Sequence, residues 1–526
     1  MNKIAELNKF AKLLKRDEEK EFSQVKRCAL SAVSGILAVG ALPPFYVLPC
    51  AFLAFSVLIF LLNRAENKKQ AAFLGFWFGF GFFSVGLSWV CNAFLIEGMG
   101  LSFLIPLPLI GFGVWGGLFP ATACVIAMSV PKGIRRLIAL GAAWGFMEWV
   151  RSWFLTGFPW NPVASVWTNW PVMIQTASVW GAFGLSAVSV FIAGLPGVIK
   201  SRSWKDFWPL LVMVFMIAVL AGYGLKRLSG APDTSDTING TMIRLVQPNI
   251  PQGIKWNKQE AEQNLMKLVH LSRARGADQV SHVIWPETAT QFLLQEDKFA
   301  RGMVVSALRP GGILLAGSLR FERNDANEAV KLFNSIIALD DLGTSLGYYD
   351  KSHLVPFGEY IPFAKFFPFI RQIVPVPMDF SAGQGGKTRF ISRTLPVGML
   401  VCYEVIFPGR VADKKNRPYW LVNVTNDGWY GISAGPHQHF AAAQMRAVEE
   451  GLPLARSANT GISGMIDAYG RITAVLELGS PGYIDAGLPR RTENPTFYGS
   501  YGNIVPLIFF LVLMMIASVT LEGEDE

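Results

Sequence analysis

The chain has 526 residues, of which 51% are hydrophobic and only 16% charged, and its formal net charge is +9 from 47 basic and 38 acidic side chains. A charged share well below the usual ~25% argues against an ordinary soluble protein and points to lipid as part of its surroundings. The basic residues sit in short loops between apolar runs, so the positive balance reads as a membrane-topology signal and not as a nucleic-acid footprint.

Residues 1–27 are polar and mixed in charge, an expected cytoplasmic N-terminal segment. Apolar segments follow at 28–43, 46–63, 71–95, 102–130, 137–156, 174–198 and 207–225, with an eighth at 503–520. Most approach the ~20 residues a helix needs to cross a bilayer. The first could pass for a signal peptide, but the loop-charge alternation requires it as a helix. Arg64, Lys68 and Lys69 follow the second segment, Lys132, Arg135 and Arg136 the fourth, and Lys200, Arg202 and Lys205 the sixth; the alternate loops are almost free of positive charge. The positive-inside rule then places both termini in the cytoplasm and the stretch after the seventh segment on the opposite face, with Lys226 and Arg227 departing from the pattern. The expectation is a seven-helix transmembrane domain over 28–228, with an eighth helix and acidic cytoplasmic tail in 494–526. Glu148 and Arg151, three residues apart in the fifth segment, read either as functional groups or as a pair that offsets charge.

From 229 to 493 the composition becomes that of a soluble domain. Short apolar runs (IRLVQ, HVIWPE, GILLAGSL, NSIIALD, VGMLVCYE, WLVNVTND, ISGMIDAYG) alternate with helical stretches at 259–275, 298–308 and 436–450. This alternation argues an α/β domain whose sheets are covered by helices, inserted between the last two membrane helices. The Phe- and Pro-rich stretch 357–380 fits neither part, and its aromatic content suggests a lipid-contacting arm.

Within PVGMLVCYEVIFP an apolar run ends abruptly at Cys402, which would put the thiol at the rim of a sheet. A lone cysteine is more often a small core residue. A nucleophilic one needs a base for its proton and positive charge or N–H donors facing the developing oxyanion. Two further strand ends offer such groups: HVIWPE ends in Glu287, and GYYDK ends in Lys351 with Glu359 eight residues on. The five cysteines (Cys28, Cys50, Cys91, Cys124, Cys402) form no CxxC cluster, and His437 and His439 form an HxH with no third ligand motif, so neither disulfides nor a metal are expected.

WPE, DKSHLVPFGE, CYE, NVTNDGWYG and GPHQHFAAAQMRAVE together resemble the nitrilase superfamily, whose members share a Glu-Lys-Cys triad on an α-β-β-α sandwich. HLVPFGEY with eight apolar segments resembles, more narrowly, the apolipoprotein N-acyltransferase family, and the likeness covers nearly the whole chain. The resemblance implies Cys402 as nucleophile, Glu287 as general base and acid, and Lys351 as oxyanion stabiliser helped by the backbone N–H of Tyr403. It makes Glu359 and Glu404 supporting carboxylates and sets Trp256, Tyr403 and Trp429 around acyl chains; Phe366 and Phe367, in the aromatic arm, are further candidate lipid contacts. It implies no cofactor. The donor would be a phospholipid, mainly phosphatidylethanolamine giving its sn-1 acyl chain. The acceptor would be the free α-amino group of a diacylglyceryl-cysteine at an apolipoprotein N-terminus, reached by a ping-pong route through a Cys402 thioester. The setting would be a bacterial inner membrane with the catalytic domain on the periplasmic face.

Two other functions share parts of this pattern. A membrane-anchored nitrilase-type amidase or hydrolase would use the same triad and pass the acyl group to water. A polytopic transporter or scaffold with a periplasmic binding domain would make Cys402 expendable, but no inverted repeat is evident. If the 357–380 stretch contacts lipid, replacing Phe366, Phe367 and Phe369 with Ser should impair phospholipid donors far more than a small soluble thioester donor. Equal losses with both donors, measured as product per minute, would sink that reading.

Overall fold

The computed structural model describes residues 24–95, 102–199, 204–362 and 379–519. Phe366, Phe367 and Phe369 lie outside the described residues, as do the N-terminal stretch 1–23 and the acidic tail. Helices form in each apolar segment: Gln24–Val39, Leu48–Asn63, Lys68–Gly86, Pro106–Ala127, Ile134–Arg151, Ala177–Gly194, Trp208–Ser229 and Ile504–Ser518. Among the described residues, Ser102–Ala127, Ala177–Val198 and Trp208–Ser229 are long and apolar enough to cross a membrane, and the bent pair Lys68–Gly86 with Ser88–Leu95 makes a fourth candidate. Leu48–Asn63 and Ile504–Ser518 are shorter apolar helices. Asn67 starts the third helix by accepting a hydrogen bond from the Gln70 N–H, which satisfies one of its free first-turn donors.

Glycine sets how closely these helices approach. A Cβ at Gly75 would lie 2.3 Å from the Pro120 carbonyl oxygen, so Lys68–Gly86 and Pro106–Ala127 meet backbone to backbone, as small residues allow where helices pack without a hydrophobic gain. The last helix, Ile504–Ser518, packs through Phe510 against Ala142, Phe183 and Ala187 of two earlier helices.

The expected α/β domain contains two six-stranded sheets, ordered β12-β1-β2-β3-β4-β5 and β11-β10-β9-β8-β7-β6. The first holds β1 (Thr237–Gln247), β2 (His282–Trp285), β3 (Ile313–Arg323), β4 (Ala329–Asp340), β5 (Ser345–Asp350) and β12 (Gly482–Pro489). The second holds β6 (Thr388–Arg389), β7 (Val397–Val401), β8 (Trp420–Thr425), β9 (Leu454–Ala458), β10 (Ser463–Ile466) and β11 (Ile472–Leu476). β1, β2 and β3 run parallel, as do β7, β8 and β9, and burial on both faces accounts for the apolar runs of β7 and of the first half of β3. The period-two alternation sorts their side chains into layers. Leu245, Ile284, Leu315, Met399, Val401 and Val422 pack between the sheets. Val283, Trp285, Leu314 and Leu339 face outward under helices Ala261–Arg273 and Lys298–Val305, both shorter than the sequence pattern suggested. On the other side Leu400, Leu421 and Leu454 lie in one continuous core with helix Ala434–Glu450 and with bundle residues such as Leu137, Trp144 and Ile174.

Glu148 and Arg151 face each other as opposite charges, in line with the charge-offsetting reading, and each also binds the loop that follows their helix. The Glu148 carboxylate accepts from Trp144 Nε1 (3.1 Å) and the Val163 N–H (2.9 Å), while Arg151 Nη1 donates to the carbonyls of Phe158 (2.6 Å) and Trp160 (2.7 Å). Together they pin the loop GFPWNP against its own helix. That loop meets the α/β domain: Trp160 Nε1 and Trp89 Nε1 both donate to Gln438 Oε1, at 2.8 and 3.0 Å, and the Gly157 carbonyl accepts the Tyr403 hydroxyl at 2.7 Å. Gly75→Leu is expected to destabilise the bundle by about 1–3 kcal/mol through overpacking. Gly111→Ala, where a Cβ meets nothing within 4 Å, should leave the melting temperature in detergent unchanged. Equal melting of the two variants would remove the close-packing account.

Candidate active site

β7 delivers Cys402 to a turn of 3-10 helix, Cys402–Ile406, and the residue takes φ +51. A non-glycine residue held in this left-handed region costs on the order of 1–3 kcal/mol and persists only where its surroundings impose it. Here they do. The Cys402 carbonyl accepts from Asn423 Nδ2 at 3.3 Å and has His439 Nε2 at 3.2 Å. Glu404 reaches back to the Val401 N–H (2.9 Å), closing the turn on itself. Its other oxygen collects the Tyr349 hydroxyl (2.7 Å), the Ser352 N–H (3.0 Å) and hydroxyl (2.8 Å), the His353 N–H (3.2 Å) and Lys387 Nζ (2.8 Å). Burial would raise the Glu404 carboxyl, but the Lys387 ammonium and these hydrogen bonds outweigh it and hold the group at about 2.

The first sheet supplies the charged partners. Glu287 follows β2, Lys351 follows β5, and Asn334 sits on β4 between them. Asn334 Nδ2 donates to both Glu287 (2.8 Å) and Glu359 (2.9 Å). The second Glu287 oxygen accepts the Asn426 N–H at 2.9 Å, and the second Glu359 oxygen accepts the Val355 N–H at 2.8 Å. Lys351 Nζ lies 2.9 Å from the Glu359 carboxylate and 3.9 Å from that of Glu287. Burial favours a neutral lysine, but Glu359 and Glu287 overcome it and push the Lys351 ammonium above its ordinary value. Lys351 is therefore a fixed positive charge. Burial, reinforced by Glu287 and opposed by Lys351, raises the Cys402 thiol, so the resting sulfur keeps its proton and needs a base to lose it.

Cys402, Glu287, Lys351 and Glu359 are thus buried together at the strand ends of facing sheets. Trp256 and Trp429 are 49% and 39% exposed, which leaves both indoles largely outside the packed core. Tyr403 is buried, its ring against Phe407 and its hydroxyl on the Gly157 carbonyl, and it ties the turn to the helical bundle. The HxH pair divides: His439 is fully buried with Nδ1 2.8 Å from Asp427, whereas His437 is only partly covered.

Several residues of this cluster escaped the sequence reading. Asn334 stands beside Ser335 in the middle of β4 and carries no pattern of its own. Lys255, beside Trp256, is buried and donates to the Glu287 carbonyl at 3.1 Å; burial, against the pull of Glu287 and Cys402, lowers it to about 8. Thr425, Asn426 and Asp427 stand in NVTND, whose polar end to a buried strand is the available signal.

Two packed sheets with helices outside them define the class, a nitrilase-like fold, and the carbon-nitrogen hydrolase sequence model matches residues 242–496. Ahead of it, the model of the apolipoprotein N-acyltransferase N-terminal domain matches residues 34–195. The chain is 35% identical over 510 residues to the apolipoprotein N-acyltransferase of Rhodopseudomonas palustris, covering 93% of this chain and 94% of that one. It is 34% identical over 511 residues to that of Brucella melitensis (94% and 96% covered) and 36% over 487 residues to that of Allorhizobium ampelinum (90% and 90%). The chain belongs to the apolipoprotein N-acyltransferase family.

The Glu404 value gives a signed expectation. A carboxyl held at about 2 when folded and near 4.3 when unfolded adds stability above the unfolded value and loses it as pH falls toward 2. Glu404→Gln should therefore lose about 2–3 kcal/mol at neutral pH, a gap that narrows as pH falls through that window, read from denaturant melts at several pH values. A gap independent of pH would contradict the assignment.

Proposed function

We propose that the N-acyl transfer of this family runs, in this chain, through a thioester on Cys402. In the first half, the Glu287 carboxylate takes the thiol proton and the sulfur attacks the sn-1 ester carbonyl of a phospholipid. Negative charge then develops on the carbonyl oxygen, facing the Lys351 ammonium and the backbone N–H of Tyr403. Collapse expels the glyceryl oxygen, which takes the proton from Glu287 and leaves as lysophospholipid. In the second half, the nucleophile is the unprotonated α-amine of a diacylglyceryl-cysteine, a group with an ordinary pKa near 8, and Glu287 takes one proton from its nitrogen as the C–N bond forms. The amine attacks the thioester, an amide forms, and the sulfur departs and regains a proton from Glu287.

The observation that carries this reading is the convergence of a strained, protonated cysteine with a carboxylate and a permanently charged lysine, all buried at facing strand ends. Both Glu287 oxygens are held, by Asn334 and the Asn426 N–H, so the base is aimed before substrate arrives. Glu359 supports Lys351 directly, at 2.9 Å, and Glu404 supports the turn that carries the nucleophile. Burial also limits water at the thioester, which favours amine over hydrolysis.

The proposal includes the setting. Residues 1–27 are a cytoplasmic segment, 28–228 a seven-helix transmembrane domain, 229–493 the periplasmic catalytic domain, and 494–526 the eighth helix and cytoplasmic tail, in a bacterial inner membrane. The loop charges support this orientation, and the exposed apolar side chains of Trp208–Ser229, such as Leu211 and Phe215, support contact with lipid. The donor is phosphatidylethanolamine in the main, and Trp256 and Trp429 border the acyl chains.

Purified protein incubated with labelled phospholipid, then denatured, should give an acyl thioester on the Cys402 peptide by mass analysis, discharged by a diacylglyceryl peptide with a free amine. Glu287→Gln should slow adduct formation at least about 100-fold. Release of free fatty acid regardless of peptide would replace transferase by hydrolase, and absence of any adduct would remove the thioester.

A further inference from the structure

The side of Cys402 that faces the second sheet holds a set of buried polar groups that the transfer steps leave unused. Thr425, the last residue of β8, has its hydroxyl oxygen 3.2 Å from the Cys402 sulfur and 3.0 Å from Asp427 Oδ1. Asp427 Oδ1 is 2.8 Å from His439 Nδ1, and its Oδ2 accepts from Arg456 Nη2 at 2.8 Å. His439 Nε2 returns to the Cys402 carbonyl at 3.2 Å. The contacts form a closed circuit that leaves Cys402 by its sulfur and re-enters by its carbonyl. Thr425, Asp427, His439 and Arg456 are each 0% exposed, so every member must find its partner inside the protein.

A threonine hydroxyl has one hydrogen, and here two acceptors share it. With Cys402 a neutral thiol, the Asp427 carboxylate is the stronger acceptor and holds that hydrogen, leaving the hydroxyl lone pairs open to the S–H. Once the thiol proton has gone to Glu287, the sulfur is itself an anion within 3.2 Å of Thr425, and a charged acceptor strengthens a hydrogen bond. Rotation about the C–O bond carries the hydrogen to the sulfur, while Asp427 keeps the Arg456 guanidinium as its donor. No proton changes owner at Thr425.

We infer that Thr425 is a further catalytic residue, donating to the Cys402 sulfur as the thiolate forms, with Asp427, His439 and Arg456 as the positioning residues that aim its hydroxyl. This rests on the reading of Cys402 as nucleophile. The groups that act on the sulfur come from both sheets: Glu287, Lys351 and Lys255 from the segments of the first, Thr425 and Asp427 from the second. Glu287 and Asp427 oppose ionisation, whereas Lys351, Lys255 and Thr425 favour it. Thr425 is the one of these that carries no net charge.

The test uses the detergent-solubilised full chain. Alkylation of Cys402 by iodoacetamide is followed across pH by mass analysis of its peptide, alongside thioester formation from labelled phospholipid. Thr425→Val keeps the shape and removes the donor; its alkylation midpoint should rise by about one pH unit and its thioester formation at neutral pH fall about tenfold, recovering at alkaline pH. Thr425→Ser keeps the hydroxyl and should stay within about threefold of the parent. An unshifted alkylation midpoint in Thr425→Val overturns the inference even if activity drops, and so does a Thr425→Ser variant as impaired as Thr425→Val. If Cys402→Ser still passes acyl chains from phospholipid to peptide, the nucleophile reading itself fails; an intact Cys402 thioester with an unshifted midpoint removes the role of Thr425 alone.

Discussion

The left-handed backbone at Cys402 is the constraint on which the rest of the site depends. Nothing in an L-residue favours that conformation, so the polar groups around the turn must supply the restraint. Asn423 and His439 hold the carbonyl and Glu404 holds the preceding N–H. Glu404 also grips the Ser352 and His353 amides, immediately after Lys351. One buried carboxylate therefore fixes the thiol and the cation relative to each other, across two separate sheets.

The helical bundle enters the same argument through side chains. Gln438, in the first turn of Ala434–Glu450, receives two tryptophan N–H groups from the bundle, and the neighbouring His439 touches the Cys402 carbonyl. At the far end of that helix Glu449 accepts the Ala182 N–H at 2.7 Å, beside the left-handed Gly181 that interrupts a bundle helix. With the apolar core continuous across the junction, the α/β domain and the bundle behave as one packed body.

Cys402 and Glu287 could be singled out in the chain because each follows a short apolar run, and a buried strand that gives way to a charged or thiol side chain leaves a plain mark; Lys351, after the mixed strand SLGYYD, was marked by its motif instead. The eight helices were legible for a similar reason, through the length of their apolar segments. β6, β11 and β12 left little mark: β6 has two residues, β11 is half-exposed along its length, and β12 includes Gly482, Gly487 and Pro489. Asn334 and Thr425 were harder to read for another reason. Each stands in a buried strand beside other polar residues, and the partners that matter, Glu287 and Glu359 for one and Cys402 for the other, lie far away in sequence. Glu148 and Arg151 were visible as anomalies, yet besides the Trp144 indole and each other their targets are backbone carbonyls and an N–H of a loop, groups that no sequence pattern marks.

Phe510 fills a slot formed by Ala142, Phe183 and Ala187. Those three residues leave the ribosome before the whole α/β domain, and Phe510 leaves after it. During synthesis the slot stands open while well over half the protein is still to be made, and the bundle can finish packing only when its last helix arrives. Assembly thus has a built-in order: the α/β domain grows against an incomplete bundle, and the closing helix seals a molecule whose reactive centre has already been translated.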